Sequence, residues 1–295
     1  MYINSNHMAN NVANTLTSHY GNLRTSTQRL STGLRVNSAA DDAAGLAIRE
    51  LMRTDIAALQ QGVRNANDAI SLIQTADGAL AVIDEKLTRM KELAEQAATG
   101  TYDSTQRLMI ESEYQAMASE ITRIANATDF NGIHLLNGNL SSDSHDGSGL
   151  SSTGKLKVHF GSMNDSAEDY YYIQIGTSTA SALGVGNEAA PTSLAYTVST
   201  QQAAQSALVG LTEAVVSKDK IRAHLGALQN RLENTISNLT TQAENLQAAE
   251  SRISDVDVAT EMTRFVRNQI LTQSAVAMLS QANSLPQMAM QLIGR

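Results

Sequence analysis

The 295-residue chain has no cysteine and no tryptophan, only 2 prolines, and aromatic residues at 4% (8 Tyr, 3 Phe). Without cysteine there is no disulfide, thiolate nucleophile, zinc–thiolate site or iron–sulfur cluster. Few aromatic rings means few of the side chains that usually close a globular enzyme core. Ala, Leu, Ile, Val and 11 Met must fill the interior, and these suit narrow seams between helices. Basic residues are outnumbered, 21 against 29, and the net charge of -8 sets the chain against phosphate backbones and anionic lipid, so no nucleic-acid partner is expected. No run of about 18 apolar residues occurs. The start MYINSNHMANN has neither a basic n-region nor an apolar h-region, so membrane insertion and a cleaved secretory signal are both unexpected.

What is present is apolar periodicity at helical spacing. Val12, Leu16, Tyr20, Leu23, Leu30 and Leu34 recur in steps of three and four, with Thr27 filling one slot. Asn10, Asn11, Asn14, Thr15, Thr17 and Ser18 surround this stripe where Glu and Lys would ordinarily support a solvated helix, so the segment is expected to need partners to fold. Gly33 interrupts it. Asp41 and Asp42 follow; adjacent helical residues point about 100° apart, so the two read as helix-start charges or ion-pair partners of another subunit's arginine, not as a catalytic pair. The second stretch runs through Met52, Ile56, Leu59, Val63, Ala66, Ile70 and Ile73, shifts register near Asp77–Gly78, and resumes at Leu80, Ile83, Leu87, Met90 and Ala94. About 50 residues of helix span roughly 75–80 Å, more than a compact layer buries alone. After a break at 99–103, Ile110, Met117, Ile121 and Ile124 mark a third helix able to fold back on the second.

Residues 130–200 differ in kind. FNG (130–132) before IHLL signals a hairpin; KLKVHFG (155–161) and YYYIQIG (170–176) read as strands, separated by the loop 141–154, and Pro191 closes the segment. From Thr200 the rhythm returns at Ile221, Leu225, Leu228, Leu232, Ile236, Leu239, Ala243, Leu246, Ala249, Ile253 and Val256, an apolar seam of five heptads. The last segment, 257–295, carries Met262, Val266, Ile270, Val276, Leu279, Leu285, Met288 and Leu292, with Pro286 near its end. The expected fold is mainly α: long antiparallel coiled-coil helices from both termini, able to pair with one another, around a small insert that contains a β-hairpin.

Catalytic signatures do not emerge. The six histidines form no H-E-x-x-H pair, Gly184–Ala189 imitates a dinucleotide fingerprint without a parallel βαβ unit, and Asp143–Gly147 lacks the ligand spacing of a calcium loop. Asp77, which lies on the long seam, reads as the mark of the register break. No enzyme activity, metal or cofactor is expected.

The run LSTGLRVNSAADDAAGLAIRE (30–50), the segment ATDFNGIHLLNG (127–138) and the C-terminal SQANSLPQMAMQLIGR (280–295) closely resemble bacterial flagellin, the filament subunit of the flagellum. The resemblance covers about 1–140 and 197–295. It implies an inner coiled-coil domain, D0, from 1–42 with 256–295; a helical bundle, D1, from 43–140 with 200–255; and, at 130–199, the D1 β-hairpin region with a short variable insert. It further implies a helical homopolymer packed through seams that include Leu16, Leu23, Leu30, Leu232, Leu239, Leu246, Ile270, Leu279 and Leu292. Terminal helices of this kind order on assembly, and a repeated contact that closes no ring generates an open filament.

By the same resemblance the chain is exported unfolded through the flagellar type III apparatus to the extracellular flagellum. Its partners are then a flagellar export chaperone, the filament cap and the hook–filament junction proteins. Flagellins recognised by the innate receptor Toll-like receptor 5 present an Arg, a Leu four residues on, a Gln three further and a Glu on the next helix. TRMKELAEQ (88–96) places Arg89, Leu93 and Gln96 in those positions and IESEY (110–114) places Glu113, with Arg89 and Leu93 expected on one helical face. Lys91 and Glu95 depart from the residues common there, which weakens the expected recognition. The rival reading is a hook–filament junction protein; FNGIHLLNG, the 34–48 run and the small insert favour the bulk subunit.

Overall fold

The computed structural model describes residues 6–148, 153–166 and 168–293, without the side chains of 153, 285, 286 and 289–293. Helix α1 (His7–Thr32) begins where the Asn6 side chain accepts from Ala9 N at 3.0 Å and ends at Gly33, whose φ of 73° lets its N–H reach the Arg29 carbonyl. In the connection that follows, the Asp41 carboxylate accepts from the Ser38 hydroxyl and from the Ser38 and Asn37 amides, which hold its pKa below the usual carboxylate value. Asp42 accepts from Gly45 N at 2.8 Å, at the start of α2 (Ala43–Ala98). Both acids therefore serve the turn and the helix start.

Helix α2 is continuous across Asp77–Gly78. Its buried side is Leu59, Gly62, Ala66, Ala69, Ile73, Ala76, Leu80, Ile83, Leu87, Met90, Ala94 and Ala97, an unbroken alternation of three- and four-residue steps. The register shift expected near Asp77 is corrected. The seam passes through the small residues Gly62, Ala69 and Ala76, and the apparent break came from giving their slots to Val63 and Ile70. Asp77 lies outside the seam and meets Arg222 at 2.7 Å.

Helix α3 (Ser104–Ala127) opens with a capping box of Asp103 and Gln106 and buries Ile110, Tyr114, Ala118, Ile121 and Ala125. Asn131 (φ 52°) and Gly132 (φ 79°) turn β1 (Asp129–Phe130) back onto β2 (Ile133–His134), the left-handed pair that a two-residue hairpin requires. A second short antiparallel pair, β3 (His145–Asp146) with β4 (Thr153–Gly154), lies in the expected loop 141–154, of which 149–152 fall outside the described residues.

Strands β5 (Leu156–His159) and β6 (Tyr170–Ile173) pair antiparallel, Val158 opposite Tyr171. Val158, Ile173 and the adjacent Phe160 are buried, while Arg231 lies 3.5 Å over the Tyr171 ring and Asn65 donates to the His159 carbonyl at 2.8 Å. A Cβ at Gly62 would stand 1.9 Å from the Phe160 carbonyl oxygen, so glycine there is what lets the strand lie on α2. Helix α4 (Ala180–Leu183) is one turn, and Val185 makes an isolated parallel bridge to Ala195, so 184–189 is not a dinucleotide loop. Helix α5 (Gln201–Ser254) and helix α6 (Val258–Ile293) complete the chain. No helix among the described residues is long and apolar enough to cross a membrane.

The chain divides into two compact units, 1–56 with 244–295, and 57–243. In the second, α5 buries Ala204, Ala207, Leu211, Ala214, Leu225, Leu228, Leu232 and Leu239 at heptad spacing, and Lys218 fills the slot between Ala214 and Leu225. That unit has its own core.

Candidate functional site

In the first unit α1 lies against α6, and the fully buried side chains of the two helices are mostly polar. Ser26 donates to the Glu261 carboxylate at 2.5 Å, with Arg264 at 3.4 Å and Arg29 at 3.9 Å from the same carboxylate. Asn6 Nδ2 donates to the Ala282 carbonyl at 2.8 Å, and Thr272, also buried, turns its hydroxyl to the Asn268 carbonyl. Below the pair, Arg35 N donates to Ser254 O at 2.6 Å and Val256 N to Gly33 O at 3.0 Å, a two-strand tie between the segments that leave α1 and enter α6. The seam slot assigned to Thr27 belongs to Ser26: Thr27 is exposed and turns back to the Leu23 carbonyl. Tyr20, expected in the seam, is 53% exposed.

The only apolar side chains this unit buries among the described residues are Val36 and Ala282. Leu16, Leu23, Leu30 and Leu279 are half-buried, as is Leu246 on the part of α5 that belongs here. Ile270, expected in a seam, is 57% exposed, because α6 carries apolar residues all round and one partner helix covers one side. Met262, Val266, Val276 and Met278 are exposed with it. The Leu292 side chain lies outside the described residues.

The receptor-patch residues lie on α2 and α3 in the second unit. Arg89 binds Glu113 at 2.8 Å and Glu92 at 2.9 Å, and these hydrogen bonds, Glu113 first, hold its guanidinium above its ordinary pKa. Gln96 is exposed and donates to the Tyr102 hydroxyl at 2.9 Å. Leu93, one turn on from Arg89 along α2, is 1% exposed and so lies beneath Arg89 and Gln96. Here α2 is flanked on both sides, by α3 through Arg89–Glu113 and by α5 through Lys91–Thr212, so only a narrow strip stays open.

The buried titratable groups have structural partners. Lys218 sits between Asp84 and Asp219, the latter at 2.8 Å; burial alone would lower its pKa, but the two carboxylates outweigh it and raise the ammonium above its ordinary value. Tyr114 donates to the Ala195 carbonyl at 2.7 Å, and burial, with Glu111 nearby, raises its phenol. Sequence pattern alone gave no sign of Lys218, since a lysine in a seam slot reads as a solvent position. Lys218 and Tyr114 are each held by a partner on another segment, an arrangement that fits a packing surface.

Comparisons with known proteins agree with that surface. The bacterial flagellin N-terminal helical region matches residues 3–141 and the C-terminal helical region matches 208–293. The flagellar filament 33 kDa core protein of Treponema phagedenis is 40% identical over 99% of this chain and 100% of its own length. The flagellin of Bacillus subtilis (strain 168) is 41% identical over 99% of this chain and 100% of its own. A solved chain from Vibrio parahaemolyticus, provisionally described as a flagellar hook-associated protein, is 14% identical with a TM-score of 0.55 over 73% of this chain and 100% of that one, a likeness of fold alone. With two paired, unclosed terminal helices and full-length kinship of this order, the chain belongs to the bacterial flagellin family.

Proposed function

We infer that this chain is a structural subunit that polymerises into a bacterial flagellar filament, and that it is not an enzyme. The observation that carries this is the contrast within the 1–56/244–295 unit: among the described residues almost no apolar side chain is buried there, while Ile270, Met278, Val258 and Met8 stand open. An apolar helix surface left open in one chain is covered in a polymer, and a heterologous contact that repeats without closing builds a filament. Full-length identity of about 40% to filament proteins favours this over a hook–filament junction role.

In this reading 1–42 with 256–295 form D0, 43–140 with 200–255 form D1, and 130–199 hold the D1 hairpin region and short insert. The helix breaks at 33–42 and 255–257 support that division. The subunit passes unfolded through the flagellar type III apparatus to the extracellular filament, with the export chaperone, filament cap and junction proteins as partners. The absence of cysteine, which leaves no disulfide to break or form, is compatible with that route. Toll-like receptor 5 is proposed to read Arg89, Gln96 and Glu113 on released monomers, with Leu93 supporting the strip from beneath. Monomer that leaves receptor-bearing cells silent, while a conventional flagellin activates them, removes that part of the proposal.

The test of the main reading is electron microscopy of purified protein seeded with short filament fragments. Long hollow filaments are the expected result; rings, caps or monomers alone would transfer the chain to the junction role.

A further inference from the structure

Helices α1 and α6 together carry four arginines, Arg24, Arg29, Arg264 and Arg267, and a single carboxylate, Glu261. The whole chain is at -8, so this pair is a cationic element in an acidic molecule. Glu261 is already engaged: its side chain is 4% exposed and is committed to Ser26, Arg264 and Arg29. Beside it a groove of about 410 Å³ opens between the two helices, lined by Asn22, Thr25, Arg29, Arg264, Arg267 and Asn268 among others. Arg29 Nε is closed off from solvent and has no hydrogen-bond partner among the described residues. Arg264 is 58% exposed, and Arg267, also exposed, forms no ion pair among the described residues. One carboxylate does not satisfy three guanidinium groups, and the lining is polar, so the groove suits a second anion and not an apolar side chain.

We propose that this groove receives a carboxylate side chain of a second copy of the chain. The proposal rests on the filament reading and adds the chemistry of one contact. Met262, Val266 and Ile270, interspersed with Arg264 and Arg267 along α6, are exposed and need covering by the same neighbour, which brings its acidic residues within reach. The chain has 29 acidic residues against 21 basic ones, so a copy of itself supplies carboxylate acceptors of the right sign. The two kinds of contact divide the work. Apolar burial holds subunits together without direction, whereas a guanidinium fork on a carboxylate fixes where along the helix the neighbour stops.

The experiment is seeded elongation of the full-length chain, with the critical concentration measured between about 0.05 and about 0.5 M NaCl, a range over which screening strengthens several-fold. Arg264→Gln/Arg267→Gln should raise the critical concentration about tenfold at low salt and flatten its dependence on salt, with monomer helicity unchanged by circular dichroism. Arg264→Lys/Arg267→Lys, which keeps the charge, should retain most of the wild-type salt dependence. A Gln variant that elongates with the wild-type critical concentration and salt slope overturns the proposal, as do Gln and Lys variants weakened equally with the slope intact. Wild-type chain that adds to no seed overturns the filament reading and this contact together, an outcome distinct from the failure of the groove alone.

Discussion

The 57–243 unit buries Leu80, Ile83, Leu87, Met90, Leu93, Ile121, Leu135 and Leu136 essentially completely, whereas the 1–56/244–295 unit buries Val36, Ala282 and a set of polar groups: Ser26, Arg49, Ser254, Glu261 and Thr272. Both are built from long helices with apolar stripes. The difference is in how many partners each stripe finds within one chain. Helix α2 is flanked by α3 and α5 and covered in part by β5–β6, so its seam closes; α6 meets α1 on one side and has apolar residues left over. Apolar periodicity therefore means a core in one unit and an unfinished interface in the other.

Removing 258–295 is the most severe way to break that contrast. It should abolish filament elongation completely while the melting transition of the 57–243 unit persists, checked by seeded light scattering and circular dichroism; filaments from the truncated chain would refute the division. Leu232→Asp puts an unpaired carboxylate at a position 1% exposed, and a loss of several kcal/mol should unfold the 57–243 bundle. Normal helicity and melting in that variant would mean the seam has been misread.

Lys218→Met tests the charged slot in the seam. It should cost about 2 kcal/mol, because the Asp84 and Asp219 carboxylates that it strands are 40% and 59% exposed and partly hydrated, read as a shift in the denaturant midpoint. Tyr114→Phe removes one of two donors to the buried Ala195 carbonyl, which keeps the Gly186 amide at 2.9 Å, and should cost about 1 kcal/mol at neutral pH. Its pH signature has a definite sign. The folded-state pKa is raised above 10, so the stabilisation is complete below that pH and is lost as pH rises above it, when the unfolded phenol ionises and the buried one does not. Alkali should thus destabilise the 57–243 unit, and the Phe variant should show a shallower loss. At the small end, Asp42→Ala removes the acceptor for Gly45 N and should cost about 1 kcal/mol, seen as local hydrogen exchange at the start of α2.

Several elements were legible from residues alone because their causes are local. Asn131–Gly132 is a hairpin turn since both positions tolerate positive φ, and Asp42 precedes a helix since its carboxylate satisfies a free amide there. The seam of α2 was less legible. Gly62, Ala69 and Ala76 are small because a strand and other helices press close, and a hydropathy pattern favours Val63 and Ile70 over them. Ser26 was passed over for Thr27, and Lys218 for its apolar neighbours, because each is buried only by virtue of a carboxylate on another helix: Glu261 in one case, Asp84 in the other.

The flagellin kinship and the helical architecture with a hairpin insert were determined by sequence, since order, spacing and turn chemistry are properties of neighbouring residues. Which stripes close into a core, that Leu93 is sealed and Ile270 open, and that two arginines share one buried glutamate were decided by the tertiary structure. Burial depends on what other segments place opposite a side chain, and that pairing is not written in any local run of residues.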